Sequence, residues 1–332
     1  MHAVVLDSYG GPEVLGVRDV SAPQPGPEEV LVDVVATALN RGDLLQREGK
    51  YPGPSVLGVD GVAYEIPGME FAGRVASVGT RVSSVAPGDE VMGIVGGGSY
   101  ASQLVTHERL LLPVPGGVPL ADAAAIPEVF ITAFDALVLQ GGLTAGRWAL
   151  VHGGASGVGT AAIQLVRAVG ASSIVTTSTA KVERCGRLGA DVVVDYTTED
   201  FVAVSKGATA GRGVDVVLDM VGGSYLPRNV SAAAAQGRIV QIGVMGGGPA
   251  EVNLGVVLMK RLQIIGTTLR NRPVEEKIAV CRRFATEVLP RFERGELAPV
   301  IDRRFPLAEI AAAHAYLAQN TSVGKVLIDV QG

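Results

Sequence analysis

The chain has 332 residues, 48% of them hydrophobic, and its 28 basic and 33 acidic residues give a net charge of −5. That length accommodates two domains of roughly 100–200 residues each. The slightly acidic balance, without a basic run, argues against nucleic acid as the main partner, and the N-terminus lacks the features of a signal peptide. We therefore expect a cytoplasmic enzyme that acts on small molecules.

The first part of the chain, up to about Pro115, is typical of a β-rich domain. Its apolar runs, at 30–35, 70–79 and 90–95, are short and are separated by glycine and proline. Their regular spacing predicts a partly open barrel or a sandwich. The pattern changes near Leu120, after which an apolar helix is predicted at 133–139.

From a strand at 148–151 onward, strands and helices alternate. Further strands are predicted at 173–177, 191–194, 214–219, 238–242 and 263–266, with helices near 160–169, 181–188, 199–206 and 225–235. This alternation predicts an α/β fold with a doubly wound parallel sheet, a Rossmann domain. Its last strand is expected at the sheet edge, where an apolar strand favours pairing with another chain unless it is covered.

One apolar stretch has nearly the length of a membrane span. No Asp, Glu, Lys or Arg lies between Arg147 and Arg167. The stretch is nevertheless typical of a strand, a turn and a helix. We therefore expect no contact with a membrane.

After Thr267 the alternation ends. A long amphipathic helix (274–294), a helix near 309–318 and a final strand (325–330) follow, which are too few for a domain of their own. We therefore predict that residues 267–332 fold back onto residues 1–124. Residues 125–266 would then form an inserted dinucleotide-binding domain.

A glycine-rich loop lies between the first Rossmann strand and its helix. Gly154, Gly157 and Gly159 form the pattern G-x-x-G-x-G, with Ser156 and Val158 between them. Glycines in this place allow bare N–H groups to approach a pyrophosphate at the helix N-terminus. The loop therefore predicts a dinucleotide site.

Two later loops are expected at the same edge of the sheet. Ligands of such sheets bind at the carboxyl ends of the strands. The loops at 221–223 and 243–246 begin there and supply Gly222, Gly243 and Met245 as candidate cofactor contacts. The alternative is that they are ordinary turns.

The residues after the second Rossmann strand favour NADPH over NADH. An NAD-preferring site usually has a carboxylate there to bind the ribose diol. This chain instead has Ser178, Thr179 and Lys181, and Tyr196 follows the third strand. Hydroxyls and an ammonium attract the 2′-phosphate, although Lys181 could also be a solvated lysine at the start of a helix.

Several co-linear motifs together resemble the medium-chain dehydrogenase/reductase superfamily, and within it the zinc-free quinone oxidoreductase branch that includes zeta-crystallin. The similarity covers essentially the whole chain and looks strongest to the tumour-suppressor-inducible quinone oxidoreductases of animals. It implies that the Rossmann domain is inserted into a GroES-like catalytic domain. The motifs are Gly10–Glu13, Leu39–Leu44, Gln46–Gly49, Tyr51-Pro52, Pro67–Gly73, Ala124–Glu128, Thr132–Phe134, Gly154–Gln164 with Arg167, and Thr268–Arg272.

The resemblance also predicts that no zinc is bound. Zinc enzymes of the superfamily have a cysteine where this chain has Asn40, a histidine where it has Met69, and a second cysteine near Glu128. An amide and a thioether are poor zinc ligands. The two cysteines, Cys185 and Cys281, are far apart and are expected to be buried and reduced.

The resemblance implies further site residues. It places Tyr51 and Asn40 beside the nicotinamide as hydrogen-bond donors, but Tyr51 could instead pack on neighbouring prolines and Asn40 could tie loop backbone together. Thr132 would touch the nicotinamide, and Leu269 and Arg270 would lie in a loop that closes over it. Glu70 is expected to support the fold, and His152 to be a packed, hydrogen-bonded residue rather than a catalyst.

These observations predict an NADPH-dependent quinone oxidoreductase that works without a metal. Without a Lewis acid, hydride transfer needs an acceptor that is already electrophilic, and quinones qualify. The alternative is a reductase of activated C=C bonds in enones or enoyl thioesters, which also needs a proton donor. Outside enzymes, a non-catalytic NADPH- or RNA-binding protein is the third hypothesis. Relatives pair through the last Rossmann strand, which implies a homodimer.

Overall fold

The computed structural model describes residues 1–51 and 53–331, so that Pro52 of the Tyr51-Pro52 motif and the terminal Gly332 lie outside the described residues. The strands are β1 His2–Val4, β2 Val17–Asp19, β3 Glu29–Ala38, β4 Ser55–Leu57, β5 Ala63–Glu65, β6 Glu70–Val78, β7 Glu90–Ile94, β8 Gln103–His107, β9 Leu112–Pro113, β10 Trp148–His152, β11 Ser172–Thr177, β12 Val192–Asp195, β13 Val214–Asp219, β14 Ala233–Gln241, β15 Gln263–Gly266, β16 Ile301–Pro306 and β17 Lys325–Asp329. The helices are α1 Arg41–Arg47, α2 Leu120–Ala123, α3 Pro127–Phe134, α4 Gly157–Ala168, α5 Val182–Arg187, α6 Phe201–Ala208, α7 Tyr225–Ala232, α8 Leu254–Lys260, α9 Val274–Glu287, α10 Leu289–Glu293 and α11 Ile310–Ala318.

The described residues divide into two compact units. Unit 1 contains Met1–Glu128 and the segment that begins at Arg270, and unit 2 contains Val129–Leu269. The predicted boundaries, 1–124 with 267–332 and 125–266, lie a few residues from these positions. The first division falls inside α3, and the end of the predicted second segment, Gly332, lies outside the described residues.

Unit 2 is built on a parallel sheet with the strand order β12-β11-β10-β13-β14-β15. Val151 of β10 lies opposite Val175 on one side and Leu218 on the other. β13 is buried along its whole length, as an apolar strand covered on both faces must be. The doubly wound Rossmann fold is therefore confirmed, and β15 lies at the edge of the sheet as predicted.

Unit 1 is built on a mainly antiparallel sheet. Its strand order is β16-β17-β3-β6-β7-β9, and β8 also pairs with β3. Along β3 the residues Val30, Val32 and Val34 are buried while their neighbours are partly exposed, the alternation expected of a strand with one face on a core. β17 lies between β16 and β3, so the last part of the chain completes the sheet of the first part.

Two helices differ from their predictions. The helix expected at 274–294 is divided into α9 and α10 at Val288, whose backbone φ and ψ are −116° and −44°. Pro290 follows two residues later. Because of its ring, proline fits the first turn of a helix but not the interior, so a new helix begins here. The apolar helix expected at 133–139 is also altered, since α3 ends at Phe134 and a π-helical segment, Asp135–Gln140, continues it.

The uncharged stretch after Arg147 forms β10, a turn and α4, as predicted. No helix among residues 1–51 and 53–331 is long and apolar enough to cross a membrane.

Candidate functional site

The glycine-rich loop of unit 2 turns sharply between β10 and α4. Gly153 has a φ of +69°, in the left-handed region that favours glycine. A side chain on Gly159 would collide with the carbonyl oxygen of Gly153, so the third glycine of the pattern is required for this close approach. A side chain on Gly154 would come within 2.8 Å of Val175.

The same loop leads into the N-terminus of α4. Ser156 is the N-cap of α4, and its hydroxyl accepts a hydrogen bond from the N–H of Gly159 at 3.0 Å. Gly157 and Val158 form the first turn and are partly exposed. Their N–H groups have no partner within an α-helix, which suits them to a pyrophosphate.

The two later loops lie against each other. The N–H of Gly246 donates to the oxygen of Val221 at 2.7 Å, and the N–H of Met245 donates to that of Met220 at 3.1 Å. The Asp219 carboxylate accepts from the N–H groups of Val221 (2.6 Å) and Gly222 (3.1 Å). These loops are therefore fixed by hydrogen bonds, and Gly243 follows β14 in the second of them. Their contact with a cofactor stays a prediction.

The hydroxyl-rich segment after β11 lies at the surface. Ser178 and Lys181 are partly exposed, and Thr179 is exposed. Tyr196 is also exposed and is tied to this segment through its N–H, which donates to the oxygen of Thr177 at 3.1 Å. The structure therefore brings the predicted 2′-phosphate residues to one edge of the sheet.

Sequence reasoning missed a carboxylate in this region. Asp195, at the end of β12, accepts hydrogen bonds from the N–H and the hydroxyl of Thr197. Hydrogen bonds from Thr179 and Thr197 lower the pKa of Asp195. Asp195 directly follows the strand predicted at 191–194, and that position is the signal that could have identified it.

His152 is buried in unit 2, as predicted. Its ring contacts those of Phe201 and Tyr225 edge to face, with centroids 4.8 Å apart in each case. Its two nitrogens lie 3.1 Å from the Thr176 hydroxyl and 2.7 Å from the oxygen of Asn229. Burial lowers its pKa, which keeps the ring neutral.

The other predicted cofactor contacts are distributed over both units. Thr132 is partly exposed in α3, and Leu269 is buried at the end of unit 2. Arg270 belongs to unit 1. Contact of these side chains with a nicotinamide stays a prediction.

In unit 1, Asn40 is held between two buried charges. Its amide nitrogen donates to Glu70 (2.9 Å) and to the oxygen of Ala38 (3.3 Å). Its amide oxygen accepts from the ammonium of Lys325 at 2.6 Å. Because both amide hydrogens and the oxygen have partners in the fold, donation from Asn40 to a substrate would require it to exchange one of them.

Glu70 and Lys325 form a buried ion pair. The two charged groups are 2.8 Å apart and 0% and 3% exposed. Lys325 also donates to the oxygen of Leu39 at 2.6 Å, and Glu70 accepts from the N–H of Glu128 at 2.8 Å. Glu70 therefore supports the fold, as predicted, whereas the part played by Lys325 was not foreseen.

These residues do not fit a zinc ion. The positions of the three ligands in zinc relatives are occupied by the Asn40 amide, whose oxygen already accepts from Lys325, by the Met69 thioether and by Glu128. A buried ammonium beside these groups repels a divalent cation. In the described part of the chain, no group of three or more His, Cys, Asp or Glu side chains could hold a metal ion.

Tyr51 lies over a glycine. A side chain at Gly42 would come within 2.8 Å of the Met69 methyl group and 3.3 Å of the Tyr51 ring, so Gly42 provides the space for both. The guanidinium of Arg270 lies over the Tyr51 ring, 4.7 Å from its centroid. Pro52, on which Tyr51 was alternatively expected to pack, lies outside the described residues.

Arg270 fixes the segment that carries Tyr51. Its guanidinium donates to the backbone oxygens of Gly96 (2.6 Å) and Tyr51 (3.3 Å) and to the side-chain oxygen of Gln46. Arg270 is 8% exposed. Holding this segment is a structural role that sequence reasoning missed, and contact with the cofactor remains a prediction.

Two carboxyl groups near the ion pair have raised pKa values. Burial raises the pKa of Asp43 to about 6, although the N–H of Asn40 and the hydroxyl of Tyr100 donate to it. Burial, and next the charge of Glu70, raise the pKa of Glu128 to about 8. Glu128 can therefore hold a proton at neutral pH, whereas Asp43 stays mostly ionised there.

Comparison with known families covers most of both units. Residues 26–116 match the alcohol dehydrogenase GroES-like domain. Residues 188–328 match the zinc-binding dehydrogenase family. The predicted GroES-like domain is therefore confirmed, together with the Rossmann fold.

Individual relatives span the whole chain. It is 32% identical to a quinone oxidoreductase of Lama guanicoe, over 99% of this chain and 97% of the relative. It is also 32% identical to a chloroplastic NADPH-dependent alkenal/one oxidoreductase of Arabidopsis thaliana, over 99% and 79%. Among solved structures, an NAD-dependent alcohol dehydrogenase is 33% identical, with a TM-score of 0.86 and full coverage of both chains.

Proposed function

The chain belongs to the medium-chain dehydrogenase/reductase superfamily, and we propose that it is an NADPH-dependent, zinc-independent quinone oxidoreductase. The observation that carries the proposal is the group of residues around Asn40. A buried Glu70–Lys325 ion pair stands beside the positions that hold zinc ligands in relatives, while Tyr51 lies next to Met69 with its ring held from above. This arrangement offers a hydrogen-bond donor and no Lewis acid.

Bound NADPH would supply a hydride to the substrate. Tyr51 is the residue that would donate a hydrogen bond to the substrate oxygen on which negative charge develops. Arg270 would keep Tyr51 in place through its contacts with the Tyr51 backbone and ring. Since a reduced quinone is aromatic and its oxyanions are stabilised, one positioned donor is enough.

The preference for NADPH is supported by the groups near the end of β11. Lys181, Ser178 and Tyr196 lie at the surface there, where an ammonium and hydroxyls suit a 2′-phosphate. The carboxylate of Asp195 would instead favour NADH, but it already accepts hydrogen bonds from Thr179 and Thr197. The Arabidopsis relative is NADPH-dependent by name, whereas the solved alcohol dehydrogenase is NAD-dependent.

Reduction of an activated C=C bond is the second candidate, because the Arabidopsis relative is named for alkenals and enones. That reaction requires a proton on carbon, and Tyr51 is the residue that would supply it. The two functions therefore make different demands on the same phenol.

The test is consumption of NADPH and of NADH by the purified protein with an ortho-quinone, and with an enone of similar size in parallel. We expect fast turnover with NADPH and the quinone, and a Tyr51→Phe variant that loses about tenfold or more in kcat. Preference for the enone, with a larger loss in the variant, would establish the second candidate. Binding of NADPH without turnover of either acceptor would indicate a non-catalytic protein.

We also propose that the protein is a homodimer that pairs through β15. The edge strand carries the exposed Ile264 (44%), and the preceding helix α8 exposes Leu254 (74%), Leu258 (75%) and Met259 (81%). We call these four residues the apolar edge surface. Exposed apolar side chains beside an edge strand support association with a second copy.

A further inference from the structure

His152 was expected to be a packed, hydrogen-bonded residue, and its hydrogen bonds belong to a network that crosses the sheet. This hydrogen-bond chain starts at Thr176 on β11 and passes through His152 on β10. It continues through Asn229 on α7 and ends at Asp219 on β13. The strands β11, β10 and β13 are neighbours in the sheet. Their residues Thr176, His152 and Asp219 lie at or next to the carboxyl ends of the strands, where such sheets bind ligands.

The chemistry of the partners fixes the direction of every hydrogen bond. Asp219 only accepts, so the Asn229 amide must turn its nitrogen toward it, at 2.9 Å. The side-chain oxygen of Asn229 then faces His152 and accepts a hydrogen bond from the Nε2–H group, at 2.7 Å. His152 is therefore the Nε2–H tautomer.

The other end of the chain follows from that tautomer. With the proton on Nε2, the Nδ1 atom of neutral His152 is an acceptor, so the Thr176 hydroxyl donates to it at 3.1 Å. The oxygen of Thr176 in turn faces the N–H of Gly153, the first residue of the glycine-rich loop, at 3.4 Å. The hydrogen-bond chain thus begins beside the glycine-rich loop.

The hydrogen-bond chain ends at the loop that begins at Val221. The remaining oxygen of Asp219 accepts the N–H groups of Val221 and Gly222. Asp219 is fully buried, so its charge is balanced by these two N–H groups and by Asn229. Removing the Asn229 contact would leave a buried carboxylate with one partner fewer and would loosen the loop.

We propose that His152 is a positioning residue for the dinucleotide, whose one-directional hydrogen-bond chain sets the glycine-rich loop and the Val221–Gly223 loop in the arrangement that binds the cofactor. The inference rests on the proposed NADPH-dependent function. His152 itself does not touch the cofactor, since its ring is enclosed by Phe201 and Tyr225.

The first experiment compares the dissociation constants for NADPH of two His152 variants by fluorescence titration. His152→Phe keeps a ring between Phe201 and Tyr225 but has no donor, and we expect its Kd to rise about tenfold or more. His152→Gln can still donate to Asn229 from its amide nitrogen, and it should recover most of the affinity. At saturating NADPH, kcat should change little in either variant.

The control removes a buried hydroxyl near the start of β11, the strand that carries Thr176 near its other end. Ser173 is 1% exposed near the start of β11 and exchanges hydrogen bonds with Asp191. Ser173→Ala should lower the melting temperature without changing the Kd. If His152→Phe also lowers only the melting temperature, His152 has a merely structural role and the proposal is wrong.

A measurement on the unmodified protein tests the chain directly. With ¹⁵N-labelled histidine, NMR should show a His152 ring that is protonated on Nε2 and unprotonated on Nδ1 at neutral pH. A proton on Nδ1, or on both nitrogens, would overturn the proposal even if His152→Phe does not fold. If the unmodified protein binds neither NADPH nor NADH, the proposed function itself fails, which differs from normal binding by His152→Phe.

Discussion

Lys325 neutralises a carboxylate that has no access to water. Glu70 is fully buried and pairs with the ammonium at 2.8 Å. Lys325→Met keeps the length of the side chain but leaves the charge of Glu70 unpaired, which we expect to destabilise unit 1 by about 3–5 kcal/mol. The change is measured as a lower midpoint of denaturant unfolding.

The control for this prediction is the double variant Lys325→Met with Glu70→Gln. Because it removes both charges, it should recover a large part of the stability that the single variant loses. Equal stability of the single and double variants would show that the ion pair has little effect.

Glu128 makes the stability of unit 1 depend on pH. Its pKa of about 8 in the folded protein exceeds the ordinary value of a glutamate, near 4.3. The folded state therefore holds the proton more tightly, and the stability that this gives is present below pH 4.3 and is lost as the pH rises through 8.

A Glu128→Gln variant should not lose this contribution. Between pH 5 and pH 8.5 the wild type should become less stable relative to the variant, by at most about 1.4 kcal/mol per pH unit. The partial exposure of Glu128 screens its charge and makes the effect smaller than this limit. Melting temperatures of both proteins across this range test the prediction, and a constant difference between them would contradict it.

The residues that sequence reasoning found are those with a local signal. The glycine pattern and the expected packing of His152 and Glu70 depend on the residues around them, or on motifs of a few residues. Lys325 has no such signal, because it contacts Asn40 from 285 positions away in the sequence. Which side chain meets Glu70 is decided by the pairing of β17 with β3, and spacing alone does not reveal it.

Elements were predictable where the apolar pattern was strong. β13 and β15 have the predicted bounds because apolar runs define them. The helix α8 was missed, since its seven residues, LGVVLMK, are nearly all apolar and show no alternation of apolar and polar faces, although Val256 and Val257 pack against the core of unit 2. The division between α9 and α10 was missed for another reason: the amphipathic pattern continues through it, and the break is a backbone event at Val288 and Pro290.

The apolar edge surface allows a test at the level of two elements. Leu258→Glu places a charge on α8 at a side chain that is 75% exposed, so it should not disturb the fold of unit 2. If α8 and β15 form the dimer contact, the charge would be buried there and the molecular mass from light scattering should fall from that of a dimer to that of a monomer.

Val59→Glu is the matched control for the dimer prediction. Val59 is 59% exposed and belongs to unit 1. This variant should remain a dimer, and both variants should bind NADPH with unchanged affinity. A wild type of monomeric mass would show that the surface does not pair in this way.

At the scale of the whole molecule, the two units differ in how the chain builds them. Unit 2 is one continuous segment, whereas unit 1 needs both ends of the chain. Its core joins Val4 and Leu39, near the N-terminus, to Phe305, Val326 and Ile328. β17 lies inside the sheet of unit 1 and not at its edge, so without the C-terminal segment β3 loses its partner β17 along residues 36–38.

Removal of residues 301–332 should therefore unfold one unit and spare the other. It takes away β16, β17 and Lys325, which exposes the apolar core of unit 1 and leaves Glu70 without its partner. Unit 2 keeps every strand of its parallel sheet and should remain folded. Limited proteolysis with mass spectrometry should yield a resistant fragment close to residues 129–269 from the shortened chain. Simultaneous loss of both units would show that unit 2 depends on unit 1 for its stability, and that its continuous segment is not sufficient to fold.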